Sequence, residues 1–278
     1  MTQPLPSVSF DINGSRQTIT LPPPGDGARR SVFVVSLPKA GSTLLNRIMR
    51  PLCLRAGLAP FSLQNTLRGE LGVDMPQVDF NPLFVSHAYA YLGFRGWSTS
   101  FAMPKAADGR TVFLVRDPRD MVVSQYYSKA FSHRPPGNAA GDEGVERFEK
   151  ERAQVARMSV ADYVLENAES VARTYNKTWK NLQTIGHKTW RYEDIIFEKR
   201  RWVDEMLAYL GIDLPPAMVA RVVERQDVRP DGEAPLEHVR KVTPGDHREK
   251  LDAATIEKLD AVFADILDRF DYPRATAS

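Results

Sequence analysis

The sequence predicts an α/β fold with a mostly parallel, doubly wound sheet, helices on both faces, and a P-loop-like turn. Three observations support this prediction. Short apolar, β-branched segments such as Val32–Val35 and Thr111–Val115 alternate with segments of helical periodicity. Polar residues follow several of these strands directly, at the edge where open parallel sheets bind ligands. The first of these strands runs through a glycine-containing turn into an amphipathic helix, which is typical of an anion-binding loop.

The composition is that of a globular protein and excludes several functional classes. The chain has 278 residues, 42% hydrophobic and 26% charged, and its net charge of +2 is too small for a general nucleic-acid binder. Cys53 is the only cysteine, which rules out an internal disulfide and a cysteine-based metal site. We find no apolar run of the ~20 residues that span a bilayer and no signal-peptide pattern. We therefore expect a cytoplasmic protein.

The first 30 residues are predicted to form an extension of a single domain that covers residues 31–278. The segments Ser7–Ile12 and Arg16–Leu21 flank Asn13-Gly14, which is typical of a two-residue hairpin turn. A linker rich in proline and glycine follows. One face of the hairpin would dock on the domain through Val8, Phe10, Ile12, Ile19 and Leu21.

Within the domain we expect strands and helices in alternation. A helix follows the first strand and ends at about Ala56, and the stretch Ala59–Asn81 has an irregular composition. Pro82–Ser86 is predicted to be a short strand that ends at His87. The later elements are helices from 118 onwards and at 145–158, 160–182, 201–210, 216–225 and 253–270, a strand at 188–192, and a polar loop at 226–246.

Four polar residues each lie at or just after the C-terminal end of a predicted strand: Lys39, His87, Arg116 and Tyr192. Because the carboxyl ends of parallel strands meet at one edge, we expect them to converge. The turn Pro38–Thr43 places backbone N–H groups, two hydroxyls and an ammonium beside the positive end of a helix dipole, which suits a phosphate. Its lysine precedes the glycine, unlike the lysine of the nucleotide loop G-x-x-x-x-G-K-[ST].

A second basic segment, VRDPRDMVVSQYY, begins with the last residue of the strand Thr111–Val115. Arg116 would lie at the end of the strand and Ser124 two turns into the next helix, so that both can reach a second anion. Asp117 and Asp120 can hold the neighbouring arginines in place. The alternative is an exposed ladder of Arg–Asp pairs, which would contribute little to stability.

A third basic segment, Arg240-Lys241, precedes Pro244–Asp246 in the polar loop. Such a pair can fold over a phosphate as a lid, although a solvated run of charges has the same composition. The sequence therefore offers two basic segments beyond the first loop.

Together these segments resemble the motifs of the sulfotransferases that use 3′-phosphoadenosine 5′-phosphosulfate (PAPS). PKAGST resembles the 5′-phosphosulfate loop of that family, usually P-K-[SA]-G-[ST]-T, and RDPRDMVVS resembles its 3′-phosphate motif. Tyr192-Glu193-Asp194 resembles the family's Y-E-D, and RKVTPGDHREKL resembles its C-terminal loop R-K-G-x-x-G-D-W-K. The four motifs occur in the family's order between about residues 32 and 251.

The resemblance implies a PAPS site and assigns residues to it. The 5′-phosphosulfate would be held by Lys39, Ala40, Gly41, Ser42 and Thr43. The 3′-phosphate would be held by Arg116 and Ser124, with Arg240, Lys241 and the backbone near Gly245 closing on it. Tyr192 would lie beside the adenine, although Leu44 stands where the family often has a tryptophan that stacks on this base.

His87 is the predicted general base, since it follows a predicted strand and the resembled family often has a histidine there. It would take the proton of the acceptor hydroxyl as that oxygen attacks sulfur in line. Lys39 would neutralise charge on the bridging oxygen as 3′-phosphoadenosine 5′-phosphate (PAP) leaves. Alternatively, His87 bonds only to the backbone; His133 and His247 are weaker candidates for the base, and Glu70 is a remote one. No carboxylate cluster indicates a metal, and we expect none.

The acceptor is expected to be a hydroxyl of a carbohydrate or small molecule. The aromatic residues that follow His87 could line its site or pack in the core, and the sequence favours neither: Tyr89, Tyr91, Phe94, Trp97 and Phe101. Two alternative functions are a small-molecule kinase with a variant phosphate loop, which would need ATP and Mg²⁺, and a non-catalytic nucleotide-binding module. The sequence does not indicate an oligomeric state.

Overall fold

A five-stranded parallel sheet forms the centre of the fold. The structure is a computed structural model that describes residues 4–12, 14–73, 75–97, 110–133, 135, 141–227 and 242–274. The strands within these ranges are β1 (Ser7–Ile12), β2 (Ser15–Thr20), β3 (Val32–Ser36), β4 (Ala59–Phe61), β5 (Tyr89–Arg95), β6 (Arg110–Val115) and β7 (His187–Arg191). The sheet has the order β4-β5-β3-β6-β7, and every neighbouring pair in it is parallel.

Helices follow most of these strands. Those in the described ranges are α1 (Ser42–Arg55), α2 (Leu63–Asn65), α3 (Pro118–Tyr127), α4 (Gly141–Arg157), α5 (Val160–Leu182), α6 (Tyr192–Ile195), α7 (Lys199–Leu210), α8 (Pro216–Glu224), α9 (Asp246–Lys250), α10 (Ala253–Val262) and α11 (Ala264–Arg269). Two π-helical turns, Thr66–Glu70 and Ser128–Ser132, extend α2 and α3. None of the helices in these ranges combines the length and apolarity needed to cross a bilayer.

The sheet is covered on both faces, as β3 shows. Val32 and Val34 point to one face and pack with α1, α7 and α8, whereas Phe33 and Val35 point to the other and pack with α3, α5, α10 and α11. Burying one large apolar side chain contributes ~1.5–3 kcal/mol to the stability of the folded state, so the cores on the two faces together stabilise the sheet. The predicted α/β class with a parallel, doubly wound sheet is confirmed.

The predicted N-terminal hairpin is also present. β1 and β2 pair antiparallel, from Ser7 opposite Thr20 to Ile12 opposite Ser15. Its buried face belongs to the same core as α3 and α5, and Phe10 makes an edge contact with Phe80 at 5.6 Å between ring centroids.

The strand predicted at Pro82–Ser86 is wrong. Asn81–Leu83 forms a 3-10 turn, and the strand lies later, at Tyr89–Arg95. The hydroxyl of Tyr91 accepts from the N–H of Val85 at 2.8 Å and donates to the carbonyl of Leu83 at 2.7 Å. A tyrosine of β5 therefore satisfies the backbone groups that a sheet neighbour would otherwise satisfy.

Four of the aromatic residues after His87 belong to the buried core. They are Tyr89, Tyr91, Phe94 and Trp97, each at most 4% exposed. Phe101, the fifth, lies outside the described residues. The core alternative for these aromatics is therefore the correct one.

Short elements were missed where the sequence shows no periodicity. The edge strand β4 has three residues, one of them Pro60, and it lies in the stretch predicted as irregular. The helix predicted at 253–270 is two helices, α10 and α11, which meet at Phe263.

The order of the strands creates a crevice. From β3 the chain passes to β4 and β5 on one side and then crosses to β6 on the other. In open α/β sheets ligands bind at the carboxyl ends of the strands where the order reverses in this way. The loops after β3, β5 and β6 therefore border the expected site.

Candidate active site

The loop between β3 and α1 adopts a strained backbone. Lys39 has a φ of 66° and Gly41 a φ of 89°, both in the left-handed region. The N–H of Ala40 donates to the carbonyl of Leu37 at 3.1 Å, and α1 begins at Ser42. A left-handed conformation costs a residue other than glycine about 1–2 kcal/mol, so the strain at Lys39 points to a functional constraint.

Gly41 is required by its surroundings as well as by its backbone. A Cβ atom there would lie 2.9 Å from Cδ2 of Tyr192 and 3.2 Å from Cδ2 of Leu114. Tyr192 is 5% exposed, and its hydroxyl donates to the carbonyl of Val242 at 3.2 Å. Tyr192 therefore supports the inner side of the loop, and its contact with adenine stays a prediction.

The loop and the first turn of α1 form one group of donors. An α-helix leaves the N–H groups of its first turn without partners within the helix, and its dipole makes that end positive. The five residues predicted for the 5′-phosphosulfate lie in this turn: Lys39, Ala40, Gly41, Ser42 and Thr43. Their contact with a phosphosulfate stays a prediction.

Arg116, the first residue after β6, lies against this loop. It is 6% exposed, its Nη1 donates to the carbonyl of Lys39 at 3.3 Å, and its guanidinium lies 4.6 Å from the ring centre of Tyr192. Its Nε is buried and has no hydrogen-bond partner in the described part of the chain. An unsatisfied buried donor is uncommon, and here it lies where an anion is expected.

Asp120 joins the C-terminal loop to this site. It accepts from the N–H of Gly245 at 2.7 Å and from the N–H and Nδ1 of His247 at 3.0 and 2.7 Å. Its Oδ2 also lies 3.6 Å from Nη2 of Arg116. Burial alone would raise the pKa of Asp120, but the bond from His247 and the charge of Arg116 hold it well below its usual range.

Replacing Asp120 by asparagine should lower the free energy of unfolding by about 3 kcal/mol at pH 7, because it breaks a buried, charged network. A carboxylate whose pKa is depressed on folding contributes stability above its unfolded pKa, and that contribution is lost as the pH falls towards the folded pKa. The difference between wild type and Asp120→Asn should therefore shrink below about pH 4.

Urea unfolding followed by circular dichroism at pH 7 and pH 3.5 measures both effects. Asp11→Asn, at an exposed position of β1, is the control and should change stability by less than about 0.5 kcal/mol. Equal effects of the two substitutions at pH 7 would contradict the assigned role of Asp120.

Of the other residues predicted to hold the 3′-phosphate, only some lie within the described ranges. Ser124 is half-buried and lies one helical turn after Asp120, so that both are on one face of α3. Arg240 and Lys241 lie outside the described residues, whereas Val242 and Gly245 are in contact with Tyr192 and Asp120. Asp117 holds Arg119, at 2.7 Å between Oδ2 and Nη2, so aspartates pair with the neighbouring arginines as predicted.

His87 does not lie at the carboxyl end of the strands, where the base was predicted, and this corrects the predicted position of the base. It precedes β5 and forms a bridge with Arg30, before β3 begins, whereas the carboxyl end of β3 is Ser36, paired with Arg95. Six residues from Arg30 to Ser36 at ~3.3 Å each put His87 about 20 Å from the loop. Its neighbours are Ser86, whose Oγ lies 3.0 Å from its Nδ1, and the backbone.

His133 is the histidine whose pKa is lowered by the charge of Lys39. It follows the π-helical turn that extends α3, its ring centroid lies 5.9 Å from that of Phe148, and its carbonyl accepts a hydrogen bond from Arg152. Partial burial and the positive charges of Lys39, Arg95 and Arg152 hold the pKa of His133 below its usual value. An imidazole in this field is neutral at pH 7 and can accept a proton.

The remaining candidates for the base already have hydrogen-bond partners. His247 is buried and bonded to Asp120. Glu70 is exposed and accepts weakly from the hydroxyl of Thr66 at 3.5 Å. The described residues contain no group of three His, Cys, Asp or Glu side chains placed to hold a metal ion.

Arg95 is a residue of this edge that the sequence analysis missed. It ends β5, opposite Ser36 of β3, and it is exposed. A strand placed at 89–95 from the alternating pattern of Tyr89 and Tyr91 would have identified it.

Comparison with known proteins gives the family of the chain. Residues 29–271 match the model of a family described as "Sulfotransferase domain". A search of curated proteins found no match.

One solved structure shares the fold at low identity, and two others are less similar. The chain is similar to a mouse sulfotransferase, SULT7A1, complexed with PAP, with a TM-score of 0.55 and 15% identity over 87% of this chain and 84% of that one. A retinol dehydratase in complex with androsterone and inactive cofactor PAP gives a TM-score of 0.47 and 16% identity over 85% and 80% of the two chains. A putative steroid sulphotransferase from Arabidopsis thaliana gives 0.43 and 14% over 89% and 78%.

Proposed function

Because the chain belongs to the sulfotransferase family, which its match over residues 29–271 shows, we propose that it transfers a sulfuryl group from PAPS to a hydroxyl group of an acceptor. The observation that carries this proposal is the convergence of the Lys39 loop, Arg116 and the Gly245 turn at one edge of the sheet. A nucleotide with a 5′-phosphosulfate and a separate 3′-phosphate needs two anion sites, and the Lys39 loop and Arg116 would supply them.

The residues present fit such a nucleotide. The strained loop and the first turn of α1 would hold the 5′-phosphosulfate, with Lys39 beside it. Arg116, through its unsatisfied Nε, and Ser124 would hold the 3′-phosphate. Arg240 and Lys241 follow from the sequence as further contacts to that phosphate.

Bound PAPS would supply a sulfuryl group attached to an oxygen that leaves with PAP. Lys39 would stabilise the negative charge that develops on this leaving oxygen. In the transfer, the acceptor oxygen would form its bond to sulfur as the bond to the leaving oxygen breaks, and the electron pair of that bond would leave with PAP. His133 would take the proton of the acceptor hydroxyl at its unprotonated ring nitrogen, which its lowered pKa keeps available at pH 7.

Isothermal titration with PAP tests the proposed nucleotide site. We expect PAP to bind, and PAP at 100 times its Kd to raise the free energy of unfolding by ~2.7 kcal/mol. Adenosine 5′-phosphate, which lacks the 3′-phosphate, should bind at least about tenfold more weakly because it loses the contacts to Arg116.

A kinase with a variant loop predicts the opposite order, with ATP and Mg²⁺ bound more tightly than PAP. Binding of PAP without transfer of labelled sulfate to any hydroxyl acceptor would indicate a non-catalytic module. Absence of PAP binding at high micromolar concentration would overturn the proposed function.

A further inference from the structure

The peptide that joins Arg116 to Asp117 is held by two side chains from distant parts of the sequence. It lies just beyond the end of β6. Its carbonyl, which belongs to Arg116, accepts from the hydroxyl of Tyr175 at 3.3 Å. Its N–H, which belongs to Asp117, donates to Oε1 of Glu193 at 2.9 Å. Side chains therefore fix the plane of this peptide where the sheet ends, and the plane in turn limits the directions open to the side chain of Arg116.

Tyr272 holds the second oxygen of Glu193. Its hydroxyl donates to Oε2 at 3.0 Å, and its ring is packed in the core that contains α3 and α5. Asp271, just after α11, has a left-handed φ of 53°, and the N–H of Tyr272 donates to the carbonyl of Leu267 at 2.9 Å. This turn is a common way to end a helix, and here it directs Tyr272 back into the protein.

The segment Phe270–Pro273, which we call the C-terminal anchor, is bonded to the elements on both sides of Glu193 and Asp117. Nη1 of Arg191, the last residue of β7, donates to two of its carbonyls at 2.9 and 3.0 Å. Nη2 of Arg119, in the first turn of α3, donates to a third carbonyl at 2.9 Å. Arg119 is itself paired with Asp117 at 2.7 Å. The C-terminal anchor is therefore fixed to the end of β7 and to the start of α3.

This network of hydroxyls and carbonyls has Arg116 at its centre. The rings of Tyr175 and Tyr272 are 0% and 6% exposed and fill the core, whereas their hydroxyls bond to polar groups. A satisfied polar network of this kind specifies a single arrangement of the groups that it joins. The Nε of Arg116, which lacks a hydrogen-bond partner among the residues that the structure describes, would meet the 3′-phosphate. Because misplacing a positioned group by about 1 Å can cost as much as a hundredfold, the direction of Arg116 matters.

We propose that Tyr175 and Tyr272 are positioning residues that aim Arg116 and thereby set the preference of the site for a nucleotide with a 3′-phosphate. This inference rests on the proposed function and assigns two further residues to it, which act through Arg116. Binding of the 5′ end of the nucleotide would rest on the Lys39 loop, so only the contribution of the 3′-phosphate should depend on the two hydroxyls.

Tyr175→Phe and Tyr272→Phe test the inference, since each removes one hydroxyl and keeps the ring. Isothermal titration uses PAP and adenosine 5′-phosphate, which differ only by the 3′-phosphate. Each variant should lower the preference for PAP at least about fivefold, while the Kd of adenosine 5′-phosphate stays within about twofold of the wild type. The KM for PAPS should rise and kcat should stay within about threefold, because the lost contact is made equally before and during the transfer.

Tyr89→Phe is the matched control. The ring of Tyr89 is 2% exposed and its hydroxyl donates to the carbonyl of Pro22 at 2.9 Å, so the chemical change is the same at a site in the N-terminal linker. Urea unfolding of all three variants should show similar losses of stability, whereas the preference for PAP should stay within about twofold in Tyr89→Phe.

Three results would overturn the inference. They are an unchanged preference for PAP in either variant, an equal loss of affinity for the two nucleotides, and a fall in preference in Tyr89→Phe as large as in the other two. If one variant does not fold, the other decides, because both hydroxyls serve the same peptide. Each of these results leaves the proposed function intact when the wild type binds PAP, whereas absence of PAP binding to the wild type is a failure of that function.

Discussion

Replacing Lys39 by methionine should lower kcat by about 10²- to 10³-fold, which is the effect of removing one group that stabilises a developing negative charge. Methionine keeps most of the side-chain volume and, like lysine, has a Cβ atom, so the strain at φ 66° is the same in both proteins. The substitution therefore removes the charge and leaves the loop. PAP should still bind within about tenfold, because the second phosphate site is intact.

The measurement is single-turnover transfer of labelled sulfate, together with titration of PAP. Arg47→Met, at an exposed position on α1, is the control and should keep kcat within about twofold. A Lys39→Met enzyme with kcat within fivefold of the wild type would show that Lys39 does not act on the leaving oxygen.

Replacing His133 by alanine should lower kcat by about 10²- to 10⁴-fold, whereas His87→Ala should keep it within about twofold. The charge of Lys39 acts on His133, whereas His87 lies beside Arg30 at the opposite end of the strands. Measuring kcat for the two variants therefore shows which of the two histidines acts as the base.

The pH profile distinguishes a base from a residue that only supports the pocket. A base must be unprotonated, so kcat/KM should fall as the pH drops through the pKa of His133, which lies below the usual 6.5. Arg95→Gln removes one of the charges that lower this pKa and should therefore shift the acidic limb of the profile to higher pH. A His133→Ala enzyme that keeps both the rate and the acidic limb would refute the assignment.

The position of the phosphate loop could be predicted from the sequence because its determinants are local. The apolar run of β3, the glycine at 41 and the helical spacing of α1 lie within about twenty-five residues, and each has its own physical cause. The same holds for Arg116, which directly follows an apolar strand. The parallel sheet followed from the alternation of such strands with helices.

The position of the base could not be predicted in this way. Pro82–Ser86 is as apolar as a strand, but it does not join the sheet. The hydroxyl of Tyr91 satisfies its backbone groups instead, and the strand lies at 89–95. His87 therefore precedes a strand instead of ending one, and it lies at the amino end of the strands and not at their carboxyl end. Arg95 was missed for the same reason, because it ends the strand that was placed too early.

The hydrogen bond between Asp120 and Gly245 joins residues that are 125 positions apart in the sequence, and this separation has a consequence for folding during synthesis. During synthesis the N-terminal part of a chain emerges first. Until residue 247 has left the ribosome, Asp120 lacks three of its hydrogen-bond donors, and Arg119 still lacks Asp260. The nascent chain can therefore build the sheet and the loop at Lys39 well before it can complete the nucleotide site, so competence to bind PAP should arise only after residues 245–247 have emerged.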